Sequence, residues 1–193
     1  MTAKLISYTR DYMSVLLLAA SQSYQKMASD KVIKHIIQAG HWSVLEHCMA
    51  TFECTAIISV LLQITRHRHL SFTVQSSRGS ELTSYRHTGN KIIDAGNDVS
   101  MCQYKALLNG GEPYEEAAYL LPKAAKYSFI VSGNLRAWME YLPKRLCKRA
   151  MPEHRELAQQ IYQELRYAMP EIFDRDLMAC STCHEASCGF SNK

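Results

Sequence analysis

The sequence predicts an α+β chain with helices in the majority, and three observations carry that reading. From Cys48 to Thr55 the residues alternate, with Cys48, Ala50, Phe52 and Cys54 against Met49, Thr51, Glu53 and Thr55, the period of a half-buried strand. On either side, apolar residues recur at the 3.6-residue period of amphipathic helices. A chain of 193 residues that is 47% hydrophobic can bury one good core, and one core is one domain. We take residues 1–178 as that domain and 179–193 as a cysteine-rich tail.

In chain order, "DYMSVLLLAASQSYQKM" (11–27) carries its apolar residues on a helical period. "DKVIKHIIQAG" (30–40) is a short helix opened by Asp30 and closed by Gly40. In "HWSVLEH" (41–47) Ser43 and Glu46 have capping-box spacing, which marks a helix start or a turn. The alternating strand follows, and "AIISVLLQI" (56–64) returns to helical spacing and delivers the chain to Arg66. Glycines and polar residues between Gly79 and Gly111 predict a long, partly irregular segment. "EPYEEAAYLLPKAAK" (112–126) has Pro113 and three glutamates at its start, the composition of a helix N-terminus. "YSFIVS" (127–132) is a strand, and "NLRAWMEYLPKRLCKRA" (134–150) and "PEHRELAQQIYQELRYAM" (152–169) are two further helices.

Composition narrows the function. The net charge of +4 is mild: it allows a partner with several phosphates and demands no long nucleic acid. Apolar runs such as "VLLLAA" fall far short of the roughly 20 residues of a membrane span. With no signal pattern at the N-terminus, the expectation is a cytoplasmic chain without a membrane partner. Seven cysteines are an odd, scattered set, which suggests reduced thiols rather than a disulfide framework.

The densest chemistry is "RHRHLSFTVQSSR" (66–78), with three arginines, two histidines and three serines. It could be a solvated charged face, a nucleic-acid patch, or the wall of an anion site. The second reading lacks interleaved aromatics and any recognisable nucleic-acid motif. In an extended segment Arg66 and Arg68 would share a side, with His67 opposite. Ser71, Ser76, Ser77 and Arg78 would then supply hydroxyls, backbone N–H groups and a second guanidinium within reach of one phosphate.

Arg66-His67-Arg68, seven residues, then Ser76 resembles the RHR-x7-S signature of the flavin-dependent thymidylate synthases, with Arg78 at the next motif arginine. "HWSVLEH" is similar to that family's upstream H-x-S-x-x-E-H segment, and Gln63 stands three residues before Arg66 as in the family. "EEAAYLLP" and "SGNLRAWMEYLPKR" resemble its later helix pair, which ends in an arginine, here Arg145. The matches run in family order from about residue 35 to 157.

The resemblance implies helices packed on a mostly antiparallel sheet, a homotetramer, and FAD sites at subunit contacts. The implied reaction moves a methylene from methylenetetrahydrofolate to C5 of dUMP, with a hydride from FAD reduced by NADPH. It needs no cysteine nucleophile, so Cys48 and Cys102 are expected to be small buried apolar residues. By the same resemblance, Arg66, His67 and Arg68 would line the flavin and its phosphates, with Ser43 nearby. Asn134 and Arg136, with Glu140 at a flavin-contacting position, would face it from the helix. Gln63, Gln75, Ser76, Ser77 and Arg78, with Arg66, would hold the nucleotide phosphate and sugar. Arg145 would be catalytic, donating to the pyrimidine carbonyl. Without the resemblance, Asn134 and Arg145 fit equally an amphipathic helix with a polar face, Arg136 and Glu140 forming an i,i+4 pair.

The chain departs from the family pattern at several positions. Thr73 and Val74 stand where Asn-Glu is usual, Gly79 where a tyrosine is usual, and Ala118 where many members have a nucleotide-binding arginine. Glu140 replaces an Asn or His, and Pro143 interrupts the helix just before Arg145, where it is expected to kink it. Losing one guanidinium should weaken a phosphate clamp, since charge-assisted contacts contribute roughly 1.5–3 kcal/mol. Because the departures gather on the nucleotide side, C5-methylation of another pyrimidine nucleotide such as dCMP is the alternative enzyme reading. An inactive flavin- or nucleotide-binding relative is another. A zinc module on the tail "CSTCHEASC" is a third: Cys180, Cys183, His184 and Cys188 have usable spacing, with His184 or Cys147 as the remaining ligand. No metal is assigned, and the tail is expected to be dispensable for chemistry.

Overall fold

The alternation that begins at Cys48 becomes a central strand, Met49–Ile57, whose Ala50, Phe52 and Cys54 face the core. The computed structural model describes residues 1–177 together with residues 180, 183, 188 and 189. The order is β1 (Thr2–Tyr8), α1 (Tyr12–Tyr24), α2 (Asp30–Gln38), a 3₁₀ turn (Trp42–His47), β2 (Met49–Ile57), α3 (Ile58–Ile64) and β3 (Leu70–Val74). Then come α4 (Lys91–Asn109), α5 (Tyr114–Ala117), a second 3₁₀ turn (Ala118–Leu120), β4 (Lys126–Asn134), α6 (Leu135–Leu146), α7 (Pro152–Ala168) and α8 (Pro170–Phe173). The four strands form one antiparallel sheet in the order β1-β2-β4-β3. The α+β class and the antiparallel sheet therefore stand.

One face of the sheet carries the core. Phe52, Phe129 and Val131 meet Trp138, Tyr141 and Leu142 of α6, and Leu157, Ile161 and Leu165 of α7 lie in the same cluster. Trp138 Nε1 donates to Ala50 O and Gly133 O at 3.2 and 3.1 Å, so α6 is tied to β2 and β4 by one buried indole. The close approach depends on Gly133: a Cβ there would sit 2.3 Å from Leu70 Cδ2. The outer edge of β1 is covered by α7, where Ala3 N donates to Gln160 Oε1 and Leu5 N to Glu164 Oε2. Unpaired edge amides are thereby kept from other strands.

Several elements differ from the sequence reading. The segment between Gly79 and Gly111 is not mainly irregular: it holds the longest helix among the described residues, α4. Asn90 caps it by accepting from Ile92 N and Ile93 N. Asp94 in its first turn accepts from Thr88 N, Thr88 Oγ1 and Gly89 N. Met101 and Tyr104 of α4 pack with Ala117 in a small second cluster. Conversely, the helix expected from Glu112 is only the single turn α5 and the 3₁₀ turn after it, because Leu121 must leave helical geometry before Pro122. No capping box forms at Ser43 and Glu46; His41 holds the N-cap position and makes no side-chain cap, and Ser43 lies exposed inside the turn. Gly40 does close α2, with φ +78° and His41 N returning to Ile36 O. Cys48 and Cys54 are free, buried thiols, which burial pushes up to about 11 and about 12. Cys102 is exposed on α4, against expectation.

Candidate functional site

α3 ends at Ile64, and the chain turns immediately. Arg66 N and His67 N donate to Gln63 O and Ile64 O, and Leu70 N donates to His67 O. Arg66 to His69 are therefore a tight turn on the helix end rather than the extended segment the sequence suggested. This turn and α6 form the two walls of a groove of about 250 Å³, with Arg66, His67 and Arg68 facing Ala137, Glu140 and Lys144. A second cleft of about 250 Å³, lined by Glu46, Asn134 and Arg136, shares His69, Ala137 and Glu140 with the first. Each is smaller than the roughly 300–1,000 Å³ usual for small-molecule sites, but they adjoin at three shared wall residues.

Charge in the groove is uneven. Among the described residues no carboxylate lies within ion-pair distance of Arg66, Arg68 or Lys144. Arg136 is held by two, Glu46 at 2.5 Å and Glu140 at 2.9 Å, so the i,i+4 pair read from the sequence does form. Asn134 is the N-cap of α6 and accepts from Ala137 N at 2.8 Å. Pro143 lies inside α6, which nonetheless continues to Leu146 and carries Arg145 past it. Ser43 does not line either cleft.

Arg145 is anchored by a histidine rather than by a carboxylate. Its Nε donates to His67 Nε2 at 2.9 Å. Burial, helped by the charges of Arg145 and Lys144, pushes the His67 imidazole down to about 4, so it is neutral at pH 7 and accepts on Nε2. The His67 ring stands edge-on to Tyr141 at 4.9 Å, and Tyr141 to Trp138 at 5.7 Å, which roots the turn in the core.

Sequence reasoning missed the groups behind this pair. His154 of α7 is fully buried and lies between Tyr141 Oη at 3.1 Å and Gln63 Oε1 at 3.2 Å. The available signal was a histidine on an apolar helical stripe, since His154, Leu157, Ala158, Ile161 and Leu165 share one face of α7. Met151 also touches Gln63, by its sulfur.

The expected site residues divide into two groups. Gln63, Arg66, His67, Arg68, Asn134, Arg136, Glu140 and Arg145 gather at one end of β3. Gln75, Ser76, Ser77 and Arg78 follow its other end. Five strand residues at about 3.3 Å each separate the groups, so Arg66 and Arg78 stand at opposite ends of β3 rather than side by side on one phosphate as the extended reading required. Gln75 bonds Ser80 Oγ, Glu81 O and Ser128 N, which stitches the loop to β4. Arg78 pairs with Glu115 at an exposed position. Of the unusual positions, Val74 and Ala118 are half-buried, and a Cβ at the exposed Gly79 would meet only Ser76 Oγ, at 4.0 Å. Among the described residues no group of three or more His, Cys, Asp or Glu side chains could hold a metal, and His184 lies outside them. Among the described residues no helix is long and apolar enough to cross a membrane.

Known proteins match this arrangement along most of its length. The family described as thymidylate synthase complementing protein matches residues 4–171. A flavin-dependent thymidylate synthase of Sulfurisphaera tokodaii is 32% identical, over 90% of this chain and 76% of its own. A probable flavin-dependent thymidylate synthase of Mycobacterium phage D29 is 34% identical, over 73% and 70%. In fold, the chain is similar to a UMP/dUMP methylase, PolB from Streptomyces cacaoi, solved with 5-Br dUMP: TM-score 0.77, 20% identity, 90% and 93% covered. With the RHR turn and the arginine of α6 in family order on that fold, the chain belongs to the thymidylate synthase complementing protein family, the flavin-dependent thymidylate synthases.

Proposed function

We propose that this protein converts dUMP to dTMP by reductive C5-methylation, with methylenetetrahydrofolate as carbon donor and FAD reduced by NADPH as hydride source. The observation that carries the reading is Arg145, fixed through Nε on a neutral His67 beside a groove of otherwise unpaired cations. Names of relatives add support: flavin-dependent thymidylate synthases among sequences, and a UMP/dUMP methylase among structures.

The residues present fit a flavin dinucleotide on charge. Arg66, Arg68 and Lys144 are cations without carboxylates of their own among the described residues, as phosphate contacts require. Bound flavin supplies the hydride. The chain's own residues do the rest: Arg66 and Arg68 hold phosphate, and Asn134 and Arg136 border the adjoining cleft. With Nε on His67, Arg145 keeps two terminal nitrogens for the pyrimidine carbonyls, where negative charge develops as C5 becomes nucleophilic. Ser76, Ser77 and Arg78, with Gln75 bracing their loop, serve the nucleotide phosphate and sugar. Because they lie at the far end of β3, the loop that completes a given groove comes from a neighbouring protomer of a homotetramer. Such substrates go with a cytoplasmic setting.

The test is tritium release from C5-labelled dUMP, run beside C5-labelled dCMP, with methylenetetrahydrofolate and NADPH supplied. Release from dUMP by yellow protein that bleaches with NADPH is expected. Release from dCMP alone moves the base, and colourless protein that takes up no FAD makes the chain a binding relative.

A further inference from the structure

Behind Arg145, four side chains form one hydrogen-bonded line. Tyr141 Oη lies 3.1 Å from His154 Nε2, His154 Nδ1 lies 3.2 Å from Gln63 Oε1, and Gln63 Nε2 lies 3.3 Å from Met151 Sδ. They come from α6, α7, α3 and the loop before α7, and Tyr141 and His154 are fully buried.

The sulfur sets the direction of the line. A thioether has no hydrogen and can only accept, so Gln63 must face Met151 with its NH2 and turn its carbonyl to His154. A carbonyl also only accepts, so His154 must present Nδ1–H to it. His154 Nε2 is then unprotonated and accepts from Tyr141, whose phenol burial keeps protonated. The reverse arrangement would press the Gln63 carbonyl against sulfur, two acceptors with no proton between them. Burial, with the charges of Arg145 and His67, pushes His154 down to about 3, so no second proton disturbs the line near neutral pH.

We propose that His154 is a positioning residue for pyrimidine recognition: as its Nδ1–H tautomer it fixes the Gln63 amide as a hydrogen-bond donor beside Arg145. Gln63 is only partly buried, and its Nε2 has no other acceptor among the described residues, so its second N–H is open to a ligand. What it meets must be an acceptor, such as a carbonyl oxygen of uracil. An amino group, as on C4 of cytosine, would bring donor against donor. Gln63 precedes the Arg66–His69 turn that walls the groove, and a base that reached its free N–H would be discriminated by a tautomer set two side chains away.

The inference rests on the dUMP reading above, and two measurements keep their failures apart. In ¹⁵N spectra of histidine-labelled protein at pH 7, assigned with His154→Asn, His154 should show a protonated Nδ1 and a bare Nε2. A proton on Nε2 instead overturns the proposal, whatever the substrate. In tritium release from dUMP, His154→Leu should raise KM about tenfold, the scale of one lost oriented hydrogen bond, with kcat within about twofold and flavin content kept. His154→Asn can still donate from the Nδ1 position and should stay within about threefold of the wild-type KM. Equal KM in all three proteins, or equal damage in both variants, overturns the positioning role. Wild-type protein that releases no tritium from dUMP defeats the substrate reading and with it that role, while the nitrogen spectrum still decides the tautomer.

Discussion

Arg145 gives its Nε to His67 and keeps its terminal nitrogens, a division of donors that a lysine cannot reproduce. Arg145→Ala should lower methyl transfer by ~10²–10³, the usual cost of one preorganised donor, while the FAD spectrum survives, since the proposed function gives the phosphate contacts to Arg66 and Arg68. Arg145→Lys should recover little. Tritium release and the flavin absorbance of the same preparation decide both. The neutral histidines also make a pH signature. The folded protein holds His67 near 4 and His154 near 3, below the ordinary histidine value of about 6.5. As pH falls below about 6.5 the unfolded chain takes up these protons first, so stability present above that pH is lost progressively toward 4 and then 3. Thermal melts between pH 7 and 4 should show Tm falling, with a shallower slope in His154→Leu; a parallel slope in that variant would remove His154 from the effect. His67 and Arg145 were legible in the sequence because a motif carries them. His154 was not, because its partners Tyr141 and Gln63 come from helices 13 and 91 residues away, and only packing brings them together.

At the scale of elements, the groove exists because β4 and α6 approach the turn after α3 closely. Gly133 makes that approach possible. A methyl there would overlap Leu70, which is buried and directly follows the Arg66–His69 turn. Gly133→Ala should therefore cost ~1–3 kcal/mol, the range for overpacking a filled core. It should also reduce flavin retention by displacing the turn. Melts and the flavin-to-protein ratio measure these separately, and a stable variant with full flavin would show that Leu70 yields freely. The same scale explains which elements the sequence disclosed. β2 was plain because one face is buried and its alternation is complete. β1 lies at the sheet edge, with neither face fully buried, and its amides are satisfied by Gln160 and Glu164 of a helix over 150 residues away. β3 is short and hidden inside a motif that read as a continuous charged stretch. α4 was obscured by flanking glycines and by Gly96 within it, although Asn90 and Asp94 carried its cap in plain view.

The whole molecule raises a question that no single protomer answers. Arg66 and Arg78 lie at opposite ends of β3, roughly 16 Å of strand apart, yet both have the chemistry of phosphate contacts. Meanwhile α4 turns Ile92, Ile93 and Val99 outward, apolar side chains that a second copy of the chain would cover. If each site takes its Arg66 turn from one protomer and its Ser76–Arg78 loop from another, Arg66→Ala and Arg78→Ala damage different halves of it. Each variant alone should be close to inactive in tritium release. Mixed in equal amounts, dissociated and reassembled, random pairing gives about a quarter of sites both native arginines, so activity should return to about a quarter of wild type. Both arginines are exposed, and neither substitution should change the melting temperature by much. Size-exclusion chromatography of each variant confirms that assembly is intact before mixing. Activity that stays at the level of the separate variants after reassembly would place both arginines in one protomer's site, and would require the Ser76–Arg78 loop to swing the length of β3 to reach it.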